Sequence, residues 1–131
     1  MAPARYIVHL AEDSAPLREL LASQLDQLPG VQVAAAAASA AGTLANLGQG
    51  LPDLLVVDLQ LDRSSALDVL RDLTREEGRP RVVILTNHAG REARDACRAA
   101  GADAFFDKST EFGLFLEAVR RWAAEAGSGF V

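Results

Sequence analysis

Tyr6-Ile7-Val8-His9-Leu10-Ala11 runs directly into Glu12-Asp13, and Leu54-Leu55-Val56-Val57 runs into Asp58. A strand buried on both faces of a parallel sheet reads as an unbroken apolar run, and open α/β sheets present their ligand sites at the carboxyl ends of the strands. If the two strands are neighbours in such a sheet, three carboxylates crowd one small volume at its rim. Carboxylates crowded this way need a cation between them or a proton on one of them. The pattern points to a divalent metal site.

Outward from these two runs, strand-like and helical segments alternate with a repeat of about 25 residues, enough for a strand, a helix and two short loops. The first strand is expected at about 5–11. Ser14 and Pro16 open a helix whose Leu17, Leu20, Leu21, Leu25 and Leu28 form one apolar stripe, closed by Pro29-Gly30. A Val/Ala-rich strand follows at about 31–37, and 39–50, with Gly42 and Gly48 and only two leucines before Gly50, should hold the weakest helix. Asp53 to Asp58 is the third strand, and Leu67, Leu70 and Leu73 mark a helix at about 65–77. Arg81 to Thr86 is the fourth strand and about 90–100 the fourth helix. Ala104-Phe105-Phe106 is a brief fifth strand, after which Thr110 caps a last helix that turns Phe112, Phe115, Leu116, Val119 and Trp122 inward. Strict alternation with right-handed crossovers gives an α/β doubly wound fold, a five-stranded parallel sheet with helices on both faces.

The chain has 131 residues, half of them hydrophobic, which suits one domain with one core at about 4–125 and a frayed tail at 126–131. No run nears the roughly 18 apolar residues of a membrane span, and the first residues lack the layout of a secretory signal, so a cytoplasmic location without membrane attachment is expected. The single cysteine, Cys97, excludes an internal disulfide and a thiolate metal cluster and reads as core filler. His9, inside an apolar strand, reads as a packed core histidine. A formal charge of −5 without a basic run argues against direct nucleic-acid binding and leaves proteins as the expected partners.

Laid in register, the strands bring Glu12, Asp13, Asp58, Thr86 and Lys108 to one edge. Three carboxylates and one ammonium leave two negative charges, which a single Mg²⁺ cancels; this ion prefers oxygen ligands and combines one or two carboxylates with phosphate oxygens. A phosphoryl group beside it could meet the metal, the Thr86 hydroxyl and the Lys108 ammonium, leaving a carboxylate as nucleophile. Lys108 is the one lysine among 13 basic residues. A compact charge on a flexible stem suits a phosphoryl oxygen in a small pocket better than a planar guanidinium does.

With these positions in order, residues 4–125 resemble the receiver domain of bacterial two-component response regulators. That family carries an acidic pair after strand one, an Asp after strand three, a Ser/Thr after strand four, an aromatic in strand five and a Lys just beyond it. The resemblance implies the flavodoxin-like strand order 2-1-3-4-5 and casts Asp58 as phosphoacceptor. Asp13, Asp58 and the backbone carbonyl of Gln60 become Mg²⁺ ligands, Glu12 a ligand organiser acting through water, Thr86 and Lys108 phosphoryl-binding groups, and Thr86 with Phe105 the switch pair. The chain departs from the family at Asp62, commonly Pro, and Ala66, commonly Gly. Ser109 stands for the usual Pro, removing the expected cis peptide bond, and Asn87 is larger than the residues common at its position, narrowing access to Asp58. The stretch 104–112 is similar to that of free-standing receivers.

The resemblance further implies a signalling protein rather than an enzyme with a separate substrate: it catalyses only its own Mg²⁺-dependent phosphorylation and dephosphorylation. The phosphoryl group would come from a sensor histidine kinase or a histidine phosphotransfer protein. Its downstream partner would be a protein docking on helix four, strand five and helix five. Arg91, Glu92, Arg94, Asp95 and Arg98 on helix four suit either such docking or plain solvated surface, and Phe105 either a switch or core filler. His88, two residues past Thr86, and Gln60 are at positions that affect acyl phosphate lifetime. A phosphorylation-independent pseudo-receiver is the competing reading. A flavin carrier lacks its phosphate-cradling loop where Glu12-Asp13 stands, and an aspartyl phosphatase lacks its second acid where Gln60 stands.

Overall fold

The computed structural model describes residues 5–73, 78–87 and 90–127. Five strands, β1 (Tyr6–Ala11), β2 (Val31–Ala37), β3 (Leu54–Val57), β4 (Arg81–Thr86) and β5 (Ala104–Asp107), form one parallel sheet in the order β2-β1-β3-β4-β5. The helices are α1 (Ala15–Asp26), α2 (Ala40–Gly48), α3 (Ala66–Leu73), α4 (Arg91–Ala99) and α5 (Phe112–Gly127). Alternation along β1 divides the core. Tyr6, Val8 and Leu10 pack with Leu21 and Leu25 of α1 and Phe115 and Val119 of α5, while Ala11 packs with Leu47 of α2, Leu70 of α3 and Cys97 of α4. The chain leaves β1 in one direction and returns past it to β3, so the switch point of the winding lies between the two strands that end on acids.

Aspartates continue the ladders where strand partners run out. Asp53 Oδ2 accepts from Ile7 N–H at 2.7 Å, Asp103 Oδ2 from Val82 N–H at 2.7 Å, and Asp26 Oδ1 from Val33 N–H at 2.8 Å beside a register shift between β1 and β2. That shift leaves Ala34 unpaired, an irregularity an edge strand tolerates.

Several expectations need correction. Of the α1 stripe, Leu21 and Leu25 are buried, but Leu17 and Leu20 are 38% and 52% exposed because they lie over the rim of the sheet beside Lys108 and Phe112. The last helix starts later than expected, at Phe112: Glu111 C=O accepts from Phe115 N–H, and the preceding turn is held by Asp107 Oδ1, which accepts from Ser109 and Thr110 N–H, so Thr110 is not its cap. Helix α5 also extends through Ala126 and Gly127, expected as tail; 128–131 lie outside the described residues, as do 74–77, expected as the end of the third helix, and His88. Between β3 and α3 the structure inserts a two-residue hairpin, Gln60–Leu61 against Ser64–Ser65, which the sequence did not suggest. No described peptide bond is cis.

Phe115 is fully buried, with Phe106 and Phe112 each 5.9 Å from its ring centroid. Truncation to Ala should cost about 3–5 kcal/mol in urea unfolding, whereas Leu20→Ala should stay within about 0.5 kcal/mol. His9 is buried as expected, and its Nδ1 meets no hydrogen-bond partner among the described residues. Burial pushes its pKa below the ordinary 6.5. Between those values the unfolded chain binds a proton that the folded chain refuses, so stability falls as pH drops through that window. His9→Leu should flatten the stability profile there, as read from urea midpoints between about pH 5 and 7.

Candidate functional site

Glu12, Asp58 and Lys108 are each anchored by a backbone bond that carries the sheet one residue past its strand. Glu12 N–H donates to Ala37 C=O at 2.9 Å, Asp58 N–H to Ala11 C=O at 2.9 Å, and Lys108 N–H to Thr86 C=O at 3.0 Å. The Cα positions of these three are therefore set by the ladder rather than by loops. Glu12, Asp13, Ser14, Asp58, Gln60, Thr86, Asn87 and Lys108 line one open cleft of about 200 Å³.

At its base the Lys108 ammonium donates to Asp58 Oδ2 at 2.7 Å and to Glu12 Oε1. The side chains of Lys108 and Asp58 are only 11% and 12% exposed, and that of Glu12 is 1% exposed. Burial raises the Glu12 pKa above the ordinary carboxylate value, opposed by hydrogen bonds from Lys108 and from Ser14 N–H at 3.1 Å. For Lys108 burial alone would lower the pKa, but hydrogen bonds and attraction from Asp58 and Glu12 outweigh it and hold the ammonium above its usual range. The lysine stays charged and ties the two acids together.

Glu12, Asp13 and Asp58 each offer an oxygen within 4.8 Å of the others. That span suits one cation bound about 2.1 Å from two of them, with the third reached through water. The donor set is all oxygen and fits a hard divalent ion. Thr86 is fully buried at the end of β4, and its register neighbour Asp107 immediately precedes Lys108. Phe105 on β5 is half-buried, with the Arg94 guanidinium 4.9 Å above its ring. Arg94 also bridges to Glu111 Oε1 at 3.1 Å, and that oxygen accepts from Asp107 N–H at 2.9 Å, so α4 is clamped to the β5–α5 turn.

The model of the response regulator receiver domain matches residues 8–120. The chain belongs to the response regulator receiver domain family. Among relatives, it is 31% identical over 122 residues to protein-glutamate methylesterase/protein-glutamine glutaminase 1 of Chromobacterium violaceum, an alignment over 90% of this chain and 34% of that protein. It is 34% identical over 101 residues to the number 2 enzyme of that name from Xanthomonas campestris, covering 76% of this chain and 28% of that one. The receiver thus spans about a third or less of the length of these relatives. A two-component response regulator of the LuxR family from Aurantimonas superposes with a TM-score of 0.84 at 25% identity, over 93% of this chain and 87% of that one. The receiver domain of Francisella response regulator 1452 superposes at 0.81 and 16% identity, covering 93% and 99%. Members of this family accept phosphoryl groups from histidine kinases, and the winding order seen here is that of the flavodoxin-like receiver fold.

All five positions expected at the rim converge in this receiver, and Gln60 lines the same cleft. Sequence reasoning placed Ser14 at the start of α1, as found, but did not bring it or Arg18 to the site. Ser14 Oγ caps α1 while its N–H serves Glu12, and Arg18 Nη1 donates to Glu12 C=O at 2.9 Å. The Ser before a Pro-containing helix start was the available signal for the first; nothing local marks Arg18 as a site neighbour. Because Asp13 brings a third carboxylate within 4.8 Å of Glu12 and Asp58 while Lys108 bridges only those two, Asp13→Asn should stabilise the receiver in EDTA by up to about 1 kcal/mol, read as a higher urea midpoint.

Proposed function

We propose that this receiver takes a phosphoryl group from a phosphohistidine onto the Asp58 carboxylate and relays the change to a protein partner. The observation that carries this reading is the Lys108 ammonium 2.7 Å from Asp58 Oδ2, in a cleft that also holds Glu12, Asp13 and Thr86. An Asp58 oxygen attacks phosphorus, the P–N bond of the donor breaks, and its electron pair returns to the imidazole, which then takes a proton. Lys108 neutralises charge on the phosphoryl oxygens, and the Thr86 hydroxyl donates to one of them. Mg²⁺, held by Asp13, Asp58 and the Gln60 carbonyl with Glu12 acting through water, would supply further charge neutralisation. A sensor histidine kinase or histidine phosphotransfer protein is the donor by this reading. The chain acts on no separate substrate, turning over only its own acyl phosphate.

Phosphorylation adds about 1.5 to 2 negative charges. Thr86 drawn toward them leaves room for Phe105 to turn inward, which alters the face made by α4, β5 and α5 and biases it between two states. In this chain that movement has to lift Phe105 away from Arg94 and disturb the bridge to Glu111.

Incubation with Mg²⁺ and acetyl phosphate or phosphoramidate should give an acid-labile adduct of one phosphoryl group, detected by intact mass and abolished by Asp58→Asn. A folded wild-type protein that takes up no phosphate would favour a phosphorylation-independent docking module instead.

A further inference from the structure

Beyond Lys108 the ladder between β4 and β5 does not stop. Thr86 is in register with Asp107, Lys108 N–H donates to Thr86 C=O at 3.0 Å, and one step further the Ser109 hydroxyl donates to Asn87 Oδ1 at 3.0 Å. Thr86 and Lys108, the two groups facing Asp58 from this side, are thus each followed by one half of a side-chain bridge. Asn87 and Ser109 are both exposed, whereas Asp58 and Lys108 lie inside, and Asn87 lines the cleft that contains them. Asn87 stands on the exposed side of the cleft with the reactive groups deeper in, and Ser109 holds it from outside the lining.

Ser109 is a firm post for this bridge. Asp107 Oδ1 accepts from its N–H at 2.7 Å and from Thr110 N–H at 3.1 Å, which fixes the turn that carries the hydroxyl. Held by Ser109, the Asn87 side chain keeps one orientation instead of sampling several. In-line displacement at phosphorus makes this position matter. The donor's leaving group, and later the attacking water, must occupy the same place, across the phosphorus from the Asp58 oxygen.

We propose that the Asn87–Ser109 bridge is a strap across the mouth of the cleft that slows both phosphoryl entry and hydrolysis of phosphorylated Asp58. Asn87 is then a positioning residue that sets the lifetime of the modification. In loading, the Asp58 oxygen–phosphorus bond forms as the donor's bond to phosphorus breaks. In hydrolysis, water oxygen bonds to phosphorus, the Asp58 oxygen departs as carboxylate, and the water proton leaves with inorganic phosphate or to solvent. This inference rests on the proposed phosphoacceptor role of Asp58.

The test follows loading by acetyl phosphate with Mg²⁺, then loss of the label after donor removal, both by intact mass. Asn87→Ala and Asn87→Ser should raise both rate constants together. Ser109→Ala should raise both by up to about fivefold, the loss of one net hydrogen bond. Ser109→Thr, which keeps the hydroxyl, should behave as wild type. The double variant Asn87→Ala/Ser109→Ala should match Asn87→Ala alone, since Ser109 acts only through Asn87. Fully additive effects, or loading and hydrolysis unchanged in Asn87→Ala, would overturn the strap while leaving phosphorylation of Asp58 intact. A folded wild type that takes no label would remove the phosphoacceptor reading and the strap with it.

Discussion

Like charges brought to one rim repel unless something of opposite sign reaches them, and in this receiver that is the Lys108 ammonium lying between Glu12 and Asp58. The rest of the architecture can be understood as the means of getting it there. Glu12 follows β1 and Asp58 follows β3, its neighbour; Lys108 follows β5, two strands further on, and reaches across the end of β4. A long unbranched side chain is what such a span requires. Glu12 is so deeply buried that its charge would be costly alone, and the Lys108 ammonium and Ser14 N–H offset that cost through hydrogen bonds. The same contact holds the outer strand against the centre of the sheet, so packing and electrostatics support each other.

The two faces of the sheet contribute differently. Beneath α1 and α5 the core is large and aromatic, with Phe106, Phe112 and Phe115 in contact. On α4 itself only Cys97 is buried, and the helix is fastened to β5 and the β5–α5 turn by Arg94 through an aromatic face and an ion pair. Such contacts at a half-exposed site are weaker than buried apolar surface and can exchange without a cavity opening. On the proposed reading, in which this face shifts on phosphorylation, α4 belongs at this low-stability end of the domain.

The sheet was legible because β1, β3 and β4 are buried on both faces and so appear as uninterrupted apolar runs. The site was legible for a related reason: acids interrupt those runs at their carboxyl ends, where packing alone gives no reason for them. What stayed hidden depends on contacts distant in sequence or on unusual backbone. The hairpin at Gln60–Leu61 turns through Asp62-Arg63, with Arg63 at φ 53°, a left-handed conformation for which Gly or Asn is the usual signal. Leu17 and Leu20 obey the helical period yet remain exposed, because periodicity reports a shared face and not how far the sheet beneath it extends. The bridge between Asn87 and Ser109 joins residues 22 apart, each unremarkable within its own loop.

A lone lysine in a chain that otherwise uses arginine now has a geometric account. In the structure its ammonium is committed to Asp58 Oδ2 and Glu12 Oε1. On the proposed reading it must change partners during the reaction, moving part of its charge from the Asp58 carboxylate to the oxygens of the arriving phosphoryl group. A compact ammonium with three donors on a four-carbon stem makes that exchange by a short swing and can keep Glu12 throughout. A guanidinium holds a carboxylate through two parallel N–H bonds and would have to break both before turning to the phosphoryl group. The need for a cation that can be shared and then transferred, more than the need for charge as such, explains why Arg does not stand at 108.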